Sequence, residues 1–175
     1  MADNVFTGKN GTLTLIADTT PPGLEGKDAG AVLSTYNNKS TSPAIARVTN
    51  VEVYVQTGLE EFHEVGTRKA ISLHPGDIHV HGKIGRAYVN GQLLFLLLGK
   101  GAAATKQTEP YVQPVFQLKL DLNDPANPGQ VELIVDRVKL QNWVATVPEE
   151  SFVMENVTFM GLDIHVVDAG LTPTF

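Results

Sequence analysis

Cysteine is absent from the 175 residues, which removes disulfide staples, thiolate metal sites and a cysteine nucleophile together. Charge is sparse as well: Asp, Glu, Lys and Arg make up 18% of the chain, against about 25% in an average globular protein. Basic residues number 13 and acidic residues 19, for a net charge of −6, so the basic face of a sequence-reading nucleic-acid binder is missing. Long apolar runs are missing too. The longest, Leu93 to Leu98, is far short of the roughly 20 residues of a membrane span. Met1-Ala2-Asp3-Asn4 lacks the basic and apolar regions of a secretory signal. These absences predict a soluble chain that folds in a reducing cytoplasm without membrane insertion. Residues 1–175 make one domain, and roughly 70% of the unfolded surface is available for burial, so the core needs no staple.

What is present is mostly alternation of apolar and polar residues, the period of half-buried strands. Thr12-Leu13-Thr14-Leu15 follows an Asn10-Gly11 turn signal. Asn50 to Gln56 sets Val51, Val53 and Val55 against Asn50, Glu52, Tyr54 and Gln56. Asp77 to Ile84 and Phe116 to Leu122 repeat the pattern. Two longer runs, Val131 to Val144 and Phe152 to Val167, change phase along their length. In the first, Val131, Leu133 and Val135 share one face and Val138 and Leu140 the opposite one, which a bulge or a strand crossing between two sheets would produce. The breaker-rich stretch 123–129 predicts a hairpin loop, and Pro148-Glu149-Glu150-Ser151 a second turn.

One segment has helical spacing instead. From Arg86 to Leu98, residues Val89, Leu93, Leu96 and Leu97 form an apolar stripe ending at Gly99, a C-cap residue. This predicts a single helix packed against the sheets. Residues 18–43 and 99–110 read as irregular, with one short strand at Ala31 to Tyr36, and stretches of this length usually carry function. The expectation is that 18–43 is an arm or loop used in assembly, with Pro21, Pro22, Leu24, Lys27, Tyr36 and the terminal Phe175 as candidate contacts between subunits.

Chemistry is harder to find. His79 and His81 share a strand face and are the best metal-ligand pair, with His63, His74 or His165 as a third ligand for a metal-dependent enzyme. The competing reading is a polar face turned to solvent or another subunit. Glu60-Glu61 and Glu149-Glu150 sit beside turns, and adjacent residues on an extended chain point apart, so neither is an acid–base couple. Gly99-Lys100-Gly101 follows a helix where a phosphate loop would open one, and Leu94 stands where that pattern needs glycine. Trp143, the one tryptophan, is either core or, with Tyr54 or Tyr111, a stacking platform of a carbohydrate-binding sandwich. No motif demands a catalytic residue, a cofactor or a metal.

The order of elements carries more information. The strand Val51 to Gln56 precedes the polar strand Asp77 to Ile84. Next, Gly85-Arg86-Ala87-Tyr88-Val89-Asn90-Gly91 leads into the leucine-rich helix, and Pro110-Tyr111-Val112-Gln113-Pro114 into paired strands. Val138-Lys139-Leu140-Gln141-Asn142-Trp143 then precedes Pro148-Glu149-Glu150-Ser151 and a strand ending in Phe159. Over about Val48 to Ile164 this order resembles bacteriophage tail tube proteins. The resemblance implies a mainly β, sandwich or barrel-like fold with one flanking helix and extended loops. It also implies a non-catalytic virion protein, assembled in the host cytoplasm, that forms hexameric rings stacked into a hollow tube. Expected partners are further copies of the chain, a sheath if the tail contracts, and tape-measure, baseplate or tail-tip and terminator proteins. DNA would cross the lumen without sequence-specific binding. Six copies would bring roughly −36 to each ring, a charge that repels phosphate. Asn50, Glu52 and Gln56, and Gln117, Lys119 and Asp121, are the candidate lumen-facing residues.

Overall fold

The computed structural model describes residues 8–18, 23–37, 45, 47–88, 90–103, 112–124 and 127–168. The strands are β1 (Gly11–Ala17), β2 (Val48–Phe62), β3 (Ser72–Ala87), β4 (Phe116–Asp124), β5 (Asn127–Thr146), β6 (Met154–Gly161) and β7 (Asp163–Asp168), and the helices α1 (Leu24–Asn37) and α2 (Gln92–Leu98). All strand pairs are antiparallel. Two four-stranded layers result. Sheet A runs β1-β4-β5-β7 and sheet B runs β2-β3-β6-β5.

The long strand β5 belongs to both layers. Up to Val138 it pairs with β4 and β7, and from Lys139 onward with β6. Arg137 between them has φ of 51°, a left-handed conformation that a non-glycine residue adopts only where its surroundings force it. The phase change between Val135 and Val138 is therefore a strand crossing with an irregular register, as the alternation predicts. A second crossing lies beside it: β6 of sheet B passes through Leu162 into β7 of sheet A, and the Leu162 N–H donates to the Asp136 carbonyl at 3.1 Å. The seven strands are thus one curled sheet, a half-barrel folded on itself.

The predicted alternation fills the space between the layers. Leu13, Leu15, Phe116, Leu118 and Val135 come from sheet A, and Val80, Ile84, Leu140, Val157 and Phe159 from sheet B. Each fully buried side chain of this kind contributes about 1.5–3 kcal/mol. Phe159 lies directly over Gly82, where any Cβ would stand 2.5 Å from its ring. Both helices complete the core, α1 through Ala29 and Leu33 and α2 through Leu93 and Leu96.

Two expectations need correcting. The helix predicted from Arg86 begins only at Gln92, because Arg86 and Ala87 pair with β6 as the end of β3. It does stop at Gly99, which has φ of 58° and whose N–H closes on the Phe95 carbonyl. Within the supposed irregular arm, residues 24–37 form a second helix where a strand was expected at Ala31 to Tyr36. Ala29, Val32, Leu33 and Tyr36 have helical spacing, and burial of Ala29 and Leu33 outweighs the low propensity of Gly26 and Gly30.

Arg86 and Glu155 make a fully buried ion pair between β3 and β6, with Nη2 3.1 Å from the carboxylate. The same nitrogen donates to the Asn90 carbonyl and side-chain oxygen, and that side-chain oxygen accepts from the Gln92 N–H. This network fixes where α2 starts.

Candidate assembly site

The β2–β3 hairpin is longer than the domain needs. β6 covers β3 only from Val80 to Ala87, so beyond Val80 the hairpin continues as two strands alone. Its apolar residues have no third strand over them among the described residues. Leu59, Phe62, Ile71, Leu73 and Ile78 are exposed. Glu60, Glu61 and Glu64 lie on one arm of the tip and Arg68 and Lys69 on the other. A two-stranded ribbon is marginal in water, and exposed apolar residues in such a ribbon make it a candidate interaction site. Val147 and Phe152, in the β5–β6 connection, form a second exposed apolar group. The alternation expects the first strand of this hairpin to end at Gln56, whereas β2 runs on to Phe62 past the irregularity at Thr57/Leu59 around Gly58. Alternation continuing through Thr57 to Leu59 is the available signal.

Each layer has open edges: in sheet A, β7 pairs only with β5 among the described residues. In sheet A, the β1 edge receives the Ile45 N–H at Leu13 and lies against α1. In sheet B, β2 and the second half of β5 are terminal strands with no neighbour on their outer side among the described residues. Unpaired edges invite strand addition by another chain.

The six candidate lumen residues divide between two opposite faces. Asn50, Glu52 and Gln56 lie on the outer face of sheet B, across from Gly85, Lys83 and His79. Gln117, Lys119 and Asp121 lie on the outer face of sheet A, so the structure does not bring the two sets together. On sheet B, the Glu52 carboxylate accepts from the Tyr54 hydroxyl and from Asn50 Nδ2 at 2.9 Å, and pairs with Lys83 Nζ at 3.0 Å. The Tyr54 hydroxyl above all, with Asn50 and Lys83, holds Glu52 at about 2, well below the usual carboxylate value. Glu52 in turn raises Lys83 and Tyr54. On sheet A, Lys119 lies 3.0 Å from Glu132 and 3.3 Å from Asp121, and Glu132 is the main cause of its raised pKa.

Of the candidate subunit contacts, Leu24 and Lys27 are exposed on the first turn of α1. Tyr36 is half-buried against the Phe95 ring, 6.2 Å between centroids. Pro21, Pro22 and Phe175 lie outside the described residues. His79 and His81 do share a face, but His81 stacks on Tyr54 and the proposed third ligands are engaged elsewhere. His63 meets Glu61, His74 meets Ser72 and His165 meets Asp136. Among the described residues no three His, Asp or Glu side chains gather to hold a metal. Trp143 packs against the core opposite Val157, so its ring is not a free stacking platform. Tyr111 is outside the described residues.

Comparison with solved structures identifies the architecture. The chain superposes on a chain of the sheath–tube complex of the PVC extracellular contractile injection system in its extended state, with a TM-score of 0.61 over 95% of this chain and 94% of the other. It superposes equally on the tube-terminating cap of the anti-feeding prophage, TM-score 0.61 over 97% and 95%. The SPP1 tail tube follows at 0.53 over 93% and 78%. The fold is that of a tail tube subunit. Sequence identities of 8%, 11% and 10% mean that this tail tube fold is held by pattern, with few shared residues. No family model and no curated protein matches the sequence.

Proposed function

We propose that this chain is a virion structural protein that polymerises into a phage tail tube, as stacked rings of six enclosing a channel for DNA. The observation that carries the reading is the far part of the β2–β3 hairpin, a two-stranded ribbon with exposed apolar side chains that no other described strand covers. In the tube it reaches a neighbouring copy and buries Leu59, Phe62, Leu73 and Ile78. The open edges of sheet B supply lateral contact: β2 of one copy meets β5 of the next, and rotation closes the ring. The outer face of sheet B is then the channel wall, with Asn50, Glu52 and Gln56 turned to the lumen. Leu24 and Lys27 on α1 remain candidates for contact between rings, beside Pro21, Pro22 and Phe175. The solved neighbours come from sheath–tube, baseplate and cap assemblies, which supports sheath, baseplate and terminator proteins as the chemical company of this tube. Its work is geometric and no catalysis is assigned. Negative-stain microscopy of the full chain tests the reading. Rings or tubes of uniform diameter are expected, and monodisperse monomers at high concentration would overturn it.

A further inference from the structure

We propose that Glu52 is a masking residue, which keeps the Lys83 ammonium from offering a phosphate contact on the outer face of sheet B. The proposal rests on reading that face as the wall along which DNA moves. Between Val48 and Phe62, and again between Met154 and Gly161, β2 and β6 contain no lysine or arginine. Cations on the face are therefore Lys83 on β3 and Lys139, which stands opposite Met160 at the start of the β5 half. Each is matched to a carboxylate, Lys83 to Glu52 at 3.0 Å and Lys139 to Glu25 at 3.2 Å. Lys83 is half exposed, so without its partner its charge would stand in the channel, and a lysine aimed at passing phosphates is what makes nucleic acid adhere.

An ordinary surface ion pair is too loose to serve as a mask, since each partner spends much of its time in water. Glu52 is held. Asn50 and Tyr54, two residues to either side on the same strand face, both donate to its carboxylate, and the Tyr54 ring is itself fixed by stacking on His81, 5.4 Å between centroids. These two donors favour the orientation in which the carboxylate meets Lys83. With its pKa near 2 it stays ionised through any physiological pH. The arrangement is electrically silent: the cation remains, but its field is cancelled at contact distance.

The test uses the full-length protein and a fluorescent DNA duplex of about 25 base pairs at about 50 mM salt, where phosphate contacts are strongest. Anisotropy is measured for the wild type, Glu52→Gln, Glu52→Gln/Lys83→Gln and Glu61→Gln. Glutamine at position 52 keeps an acceptor for Tyr54 and Asn50 but loses the charge. Glu52→Gln is expected to tighten binding by about tenfold or more and to steepen its salt dependence, the double variant to return to wild type, and Glu61→Gln to change binding less than about twofold. Unchanged binding in Glu52→Gln, an equal gain in the double variant, or an equal gain in Glu61→Gln each overturns the proposal. Microscopy of the same samples is scored separately. If the wild type forms no tubes, the channel reading fails, while anisotropy still decides whether Glu52 masks Lys83.

Discussion

Val80 and Ile78 sit on the same face of the same strand, two residues apart, yet Val80 is 2% exposed and Ile78 65%. Between them β6 ends and the hydrophobic core stops. The root of the β2–β3 hairpin, Val48 to Val55 against Val80 to Arg86, is held by a third strand, Ile84, Phe159 and the buried Arg86–Glu155 pair. The far part has the same alternation and none of those neighbours. Similar strand chemistry is thus buried in the core at one end and exposed at the other. The dividing line is set by where β6 runs out.

The sharpest way to break that comparison is at the root. Replacing Arg86 by Met leaves the Glu155 carboxylate buried and unpaired, and urea unfolding of the isolated subunit is expected to show a loss of about 3–5 kcal/mol. The same measurement on Glu61→Gln, at the exposed tip, should stay within about 0.5 kcal/mol of wild type. Next in size is a matched pair along β3. Ile84→Ala opens a cavity in the core and costs about 3 kcal/mol of subunit stability, whereas Ile78→Ala stays within about 0.5 kcal/mol. Ile78→Ala should instead weaken polymerisation, raising the critical concentration in sedimentation assays by about tenfold, the worth of its apolar area once buried. If Ile78→Ala destabilises the lone subunit as much as Ile84→Ala does, the hairpin is not divided as described.

The smallest effect follows pH. The folded-state pKa of Glu52 is depressed from 4.5 to about 2, so its contribution to stability is complete above pH 4.5 and disappears as pH falls toward 2. Thermal unfolding of wild type and Glu52→Gln from pH 6 to pH 2 should show a difference that closes across this window. A constant difference would mean that Glu52 acts through packing.

The strands along the chain, and an irregularity near Arg137, are legible because they depend on alternation, which even one chain displays: Val135 and Val138, three positions apart, mark a change of phase that a bulge or a crossing would produce. The helix at 24–37 was harder to read because its glycines and hydroxyl residues weaken local propensity, and its reason for folding is tertiary, through Ala29 and Leu33. For the same reason Arg86 was assigned to the wrong element. A charged residue gives no hint that its partner, Glu155, waits 69 positions further on. The candidate lumen residues lie on outward strand faces, but alternation within a strand says nothing about which of two sheets that strand joins.

The two crossings have a mechanical consequence. Arg137 and Leu162 carry the main chain from one layer to the other side by side, joined by the Asp136–Leu162 hydrogen bond, so along that line the layers cannot part without stretching covalent backbone. At the opposite margin no strand crosses among the described residues, and a cavity of about 260 Å³ opens between Leu13, Leu120 and Leu122 on one layer and Val48 and Val51 on the other. The subunit is bound like a book, with a spine and a fore-edge. Parting the layers at the spine would have to stretch main chain, whereas the fore-edge has a weaker tie, the hydrogen bond from the Ile45 N–H to the Leu13 carbonyl three residues before β2 begins at Val48.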